Sequence, residues 1–151
     1  MDELNIPKLK KPVEIAFKDG GVIKNSKMTL FLNHNSAHHT GEETVIELLN
    51  NDVQFIPAVI ENGGSEFAIL NVDSIFYVKE LDGSEASAEG ECLKIQFITG
   101  EQIEFKVNEI LPGNRSRAID FLNTSQTFLT FSKDGKAVYV NKNKINKAEV
   151  V

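Results

Sequence analysis

The sequence has one cysteine, Cys92, no tryptophan and four prolines in 151 residues. A single thiol excludes an internal disulfide and suits a reducing compartment. No stretch approaches the roughly 18 consecutive apolar residues that a membrane-spanning helix needs. The leading segment MDELNIPKLKKPVEIAF lacks the apolar core of a secretory signal. An excess of positive charge is also missing: 22 acidic residues face 16 basic ones, for a net charge of -6. So acidic a chain is a poor default binder of nucleic acid or anionic membrane. With no tryptophan and two tyrosines, platforms for stacking bases are scarce. The glycine pairs Gly20-Gly21 and Gly63-Gly64 open no helix with a following lysine-serine, which excludes a phosphate-binding loop. These absences lead to the expectation of a cytoplasmic protein without membrane contact, cofactor or catalytic signature.

What remains is an ordinary globular composition, 41% apolar and 25% charged. Within it the same pattern occurs twice. VEIAFKDG (Val13 to Gly20) aligns with LKIQFITG (Leu93 to Gly100): Val13, Ile15 and Phe17 fall on one face of a strand, as do Leu93, Ile95 and Phe97. Alternation with period two predicts half-buried strands, each ending in a glycine turn. TVIELLN (Thr44 to Asn50) aligns with RAIDFLN (Arg117 to Asn123). Ile46 and Leu49, like Ile119 and Leu122, are three apart and share one face of a short helical turn. Asn50 and Asn123 are placed to end these turns in the left-handed conformation. Phe55 then matches Phe128 at the start of a strand, and Pro57 predicts that its strand is an edge or bends there. AILNVDSI (Ala68 to Ile75) matches VYVNKNKI (Val138 to Ile145) as strand, polar turn and strand, with Asn71 opposite Asn141.

The expected organisation is an N-terminal arm at 1–12, a β module at 13–80, an acidic linker at 81–91 and a second β module at 92–151. The fold class is mainly β. We expect two tandem small barrel-like modules, each with one helical turn, related by a pseudo-twofold duplication. A continuous sheet across the join is the other arrangement open to them. The first copy is longer by seven residues before its helical turn, within LNHNSAHHTGEE, and by three before its last hairpin. Surface loops absorb such insertions at little cost.

In strand order the pattern resembles a small Sm-like barrel. The residues Arg117, Asp120, Phe121, Leu122, Asn123, Phe128, Asn141, Lys142 and Ile145 resemble a small bacterial domain family of unknown function, over roughly Leu93 to Val151. Thr44 and Glu47 replace its arginine and aspartate in the first copy. The family implies a fold and no reaction.

Candidate sites are few. His34, His38 and His39, followed by Glu42 and Glu43, offer donors for zinc or nickel, but in an insertion without helical spacing, so an exposed polar loop is the plainer reading. Arg117 and Asp120, three apart, form a local ion pair or a partner anchor; Asp120 is also placed to cap backbone donors at the start of the turn. The recurring asparagines invite an RNA reading through the Sm-like resemblance and are otherwise turn residues. Residues 93–151 hold nine basic against six acidic side chains, with Lys133, Lys136, Lys142, Lys144 and Lys147 in the last two strands. Cys92 reads as a structural or incidental thiol at a strand start rather than a nucleophile, and the ten phenylalanines mostly fall on apolar faces and read as core. The expected function is a non-enzymatic adaptor that docks a protein or peptide through sheet edges or the inter-module groove, with Arg117, Asp120, Asn123, Lys142 and Lys144 as partner-binding residues. The alternative is nucleic-acid binding by the lysine-rich second module. Exposed edge strands also admit a homo-oligomer.

Overall fold

Two glycines with positive φ, Gly20 at 61° and Gly21 at 89°, close the longest hairpin of the protein. Consecutive positive φ values give the tight turn whose twist matches antiparallel strands, and glycine adopts them without steric penalty. The turn joins β1 (Lys8–Asp19) to β2 (Val22–Asn33) in unbroken register. In the computed structural model, which describes residues 8–33, 43–61, 63–82, 90–107 and 115–151, residues 8–12 of the expected arm are therefore strand.

The first half continues through α1 (Val45–Asn50), β3 (Phe55–Glu61), β4 (Ser65–Asn71), a 3-10 turn at Val72–Ser74 and β5 (Ile75–Glu80). A capping box starts α1: the Thr44 hydroxyl accepts from the Glu47 N–H at 3.3 Å, and the Glu47 carboxylate accepts from the Thr44 N–H at 2.8 Å. The second half repeats the series as β6 (Glu91–Phe97), β7 (Gln102–Val107), α2 (Arg115–Leu122), β8 (Phe128–Lys133), β9 (Lys136–Asn141), a 3-10 turn at Lys142–Lys144 and β10 (Ile145–Val150). Matching details recur. The Asn71 and Asn141 side chains each accept from the N–H two residues on, at 3.0 Å, and so start the two 3-10 turns. Phe76 is left over where Ala16 pairs with Tyr77 and Phe17 with Ile75; Asn146 is left over in the same place against β6. These are corresponding β-bulges.

Among the described residues ten antiparallel strands form one sheet in the order β10-β6-β7-β8-β9-β5-β1-β2-β3-β4. The first five places repeat the last five, counterpart for counterpart: β10 stands for β5 and β9 for β4. The halves join where β5 pairs with β9, through Tyr77↔Val140, Val78↔Tyr139 and Lys79↔Val138. This departs from the expected architecture in two ways. The sheet does not close into barrels, because β10 and β4 are its ends. The halves are also not a closed twofold pair, since that symmetry would repeat the β5·β9 contact as β4·β10. They follow one another head to tail.

Pro57 lies inside the sheet, not at its edge. β3 has β4 on one side throughout, and on the other pairs with β2 only from Ile60 to Ala58, stopping one residue short of the proline that cannot donate. The turn asparagines also behave differently from expectation. The cap after α1, Asn51, is extended at φ -69°, and the only non-glycine residue with positive φ among the described residues is Asp134.

Two apolar cores flank the joint, and each takes residues from both halves. Val13, Ile15, Leu30, Leu49 and Ile56 of the first half enclose Phe128 and Tyr139 of the second. Leu93, Ile95, Phe97, Phe105 and Phe131 of the second half enclose Phe76 and Tyr77 of the first. The ring centroids of Phe76 and Phe97 are 5.3 Å apart and stacked, and Tyr77 meets Phe105 edge-on at 5.7 Å. Among the described residues no helix is long and apolar enough to cross a membrane.

Candidate functional site

The joint shows what holds one half to the next. Asn50, at the end of α1, reaches the backbone of Phe128: its side-chain oxygen accepts from the Phe128 N–H at 2.7 Å, and its amide donates to the Phe128 carbonyl at 3.0 Å. A carboxamide satisfying both backbone groups of one residue acts as a short piece of strand. Asn141 is wholly buried and donates to the Ile75 carbonyl at 3.0 Å. The Tyr139 hydroxyl donates to the Glu80 carboxylate, and Lys79 lies 3.7 Å from Asp134.

Burial raises the pKa of both tyrosines above their ordinary value. Tyr77 is moderated by its hydrogen bond to Asn25, whereas the bond and charge of Glu80 push Tyr139 up further. Lys11 is lowered by burial, but Glu80 and Asp82, each 3.4 Å from its ammonium, more than offset this and leave it raised. An acid whose folded-state pKa is raised stabilises the fold below its unfolded value, here about 10, and loses that contribution as pH climbs toward the folded value. We therefore expect both phenols to ionise above their unfolded range and stability to fall with rising pH beyond it. Phenolate absorbance of native against denatured protein checks this, since the chain has only these two tyrosines.

At the two ends of the sheet the corresponding surfaces are laid out with no further strand alongside among the described residues. On the outer face of β3 and β4, Phe55, Phe67 and Ile69 are 55%, 64% and 67% exposed. Their counterparts at the joint are Phe128, Ala137 and Tyr139, all of which pack against the first core. At the other end a groove of about 390 Å³ runs between the end of α2 and β10, lined by Leu122, Asn123, Lys142, Ile145, Lys147 and Ala148 among others. Ile119, on α2, is 61% exposed, while its counterpart Ile46 packs against the first core. The expected apolar face of α2 is thus incomplete: Ala118 is buried and Phe121 half-buried, but Ile119 points to solvent.

Of the five candidate partner-binding residues, the groove brings together Asn123 and Lys142. The Lys142 ammonium donates to the Thr124 carbonyl and pins the chain just after α2. Lys144 lies in the same 3-10 turn, and its carbonyl accepts from Ile98 N–H at 2.9 Å. Arg117 and Asp120 are exposed on α2, outside the groove lining. Asp120 is the sixth residue of α2, too far along to cap its first turn. The five lysines do not form one patch. Lys133 and Lys136 flank the β8–β9 turn, while Lys142, Lys144 and Lys147 lie beyond the far end of β9, about 20 Å away at ~3.3 Å per residue. His34, His38 and His39 lie outside the described residues. Among the described residues no cluster of three or more His, Cys, Asp or Glu side chains is placed to hold a metal.

A second cleft, of about 640 Å³, opens at the joint between Asn50, Asp52, Gln54 and Asp73 of the first half and Thr127 and Asn143 of the second. Its two carboxylates oppose phosphate binding. Sequence reasoning missed the apolar ends altogether, because Phe55 and Phe128 read alike until their neighbours are known. Comparison of the chain with models of protein families, with curated proteins and with solved structures finds no match.

Proposed function

We propose that the protein is a non-enzymatic docking module, which binds a protein or peptide partner through the unlike ends of its sheet. One observation carries this reading: three large apolar side chains, Phe55, Phe67 and Ile69, stand exposed beside a terminal strand. Terminal strands are ordinarily blunted by charge, proline or cover, because their backbone invites another strand. An apolar patch at such a strand marks a surface that another polypeptide covers. On this reading each half descends from one five-stranded unit, and the duplication joined two of its edges at β5·β9 and left one unlike edge at each end, without introducing reactive chemistry. Splitting the lysines between two ends of β9 favours a protein partner over a nucleic acid, which needs a continuous basic track.

Capture from a native lysate, with the wild-type chain compared with Ile69→Lys, tests the reading. We expect at least one polypeptide, an untagged copy of the chain included, to be retained by wild type and reduced by about tenfold or more by the variant. If no retained polypeptide depends on Ile69, the docking role is wrong.

A further inference from the structure

We infer that the partner is a second copy of this chain, whose β4 edge docks beside β10 and repeats between molecules the joint made once within each. This deepens the docking reading and rests on it. The template is the β5·β9 contact: β10 is the counterpart of β5, and β4 that of β9. Transferring its register pairs Lys147 with Leu70, Ala148 with Ile69 and Glu149 with Ala68.

Independent features fit that placement. Phe55 and Ile69, the counterparts of the buried Phe128 and Tyr139, would enter the groove formed by Leu122, Ile145 and Ala148. Ile119 would cover Ile69 as Ile46 flanks Tyr139 within the chain; those two line one pocket there. Asn123, lining the groove, is positioned to clamp the Phe55 backbone as Asn50 clamps Phe128. Asn71 already uses its side-chain oxygen to start a turn, as Asn141 does, which directs its amide toward the neighbour's Ile145 carbonyl as Asn141 reaches Ile75. Among the described residues, four of the eight exposed large apolar side chains, Phe55, Phe67, Ile69 and Ile119, therefore lie at one contact.

Other parts of the joint do not carry over. Lys147 replaces the aromatic Tyr77, and Glu149 replaces Lys79 of the Lys79–Asp134 pair. The contact between molecules is consequently weaker than the joint within them and forms reversibly with concentration. It joins unlike surfaces, so it propagates until a ring closes or continues as a filament.

Sedimentation velocity on the full chain, from low to high micromolar concentration, tests this. Wild type is expected to rise above the 16.8 kDa monomer as concentration increases. Ile69→Lys and Ile119→Lys alter opposite sides of the contact at exposed positions, so each is expected to stay folded, checked by its thermal transition, and to weaken assembly by about tenfold or more. Mixed, the two restore one intact contact per pair and give a 1:1 dimer that grows no further. Monomeric wild type at every concentration overturns the inference, as does assembly indifferent to both variants or a mixture that stays monomeric. Edge-dependent capture of a different protein, with wild type monomeric, would overturn self-assembly and leave the docking role standing; loss of both results removes both.

Discussion

Phe128→Ala is expected to lower the unfolding free energy by about 3–5 kcal/mol, while Phe55→Ala, at the matching position, changes it by about 0.5 kcal/mol or less. The two residues occupy equivalent places, each opening the strand that follows a helix. Phe128 is fully buried in a core built by the other half, so its removal leaves a cavity lined by side chains that cannot all collapse into it. Phe55 faces solvent in the single chain and loses little. For a chain of this size the first change corresponds to a fall in Tm of about 6–20 °C. Dilute-solution thermal and denaturant unfolding of both variants measures the contrast. Equal losses would mean that Phe55, near the end of the sheet, is buried as Phe128 is at the joint.

Asn141→Ala is expected to cost about 2–3 kcal/mol, because it strands the buried Ile75 carbonyl and removes the acceptor for the Asn143 N–H. Asn71→Ala removes only the turn bond seen within the chain and costs about 1 kcal/mol. Asn141→Asp separates the two roles. It keeps the acceptor for Asn143 but faces the Ile75 carbonyl with a carboxylate in a site with no solvent exposure. Burial raises the pKa of such a group, so the variant is least stable above the ordinary carboxylate range and recovers as pH falls and the protonated acid can donate. Urea unfolding of the three variants at neutral and mildly acidic pH distinguishes these outcomes; an Asn141→Asp variant whose stability ignores pH would show that the side chain does not face the carbonyl.

Local features of this fold were legible in the sequence, and long-range ones were not. The strand at Leu93, Ile95 and Phe97, the glycine turn after Asp19, and the asparagine turns at 71 and 141 depend on neighbours a few residues away, and alternation or turn chemistry reports them directly. The fates of Phe55 and Phe128, or of Ile119 and Ile46, depend on which strand lies alongside, a choice made some 80 residues distant in the chain. The same holds for Asn50. Its side chain was legible as the end of a helical turn, but its two bonds to Phe128 span 78 positions and leave no periodic trace. Two barrels were expected, with a continuous sheet as the other arrangement. Instead each half completes its core with aromatic residues from the other, which a continuous sheet permits and two closed barrels would not. Of the candidate partner-binding residues, Asn123 and Lys142 line the groove because they flank it at the end of α2 and the start of the last turn, whereas Arg117 and Asp120 lie on the solvent side of α2.

On the inference above, one contact is made within the chain and its equivalent is left for another molecule. Hydrogen exchange of the backbone amides, followed over a series of protein concentrations, tests it most directly. Amides of β5 and β9 are expected to be protected at every concentration, and the amides of β4 and β10 that point away from β3 and β6 to gain protection only as concentration rises. Protection at the two ends that does not vary with concentration, or a β5·β9 joint that exchanges as freely as they do, would contradict the account.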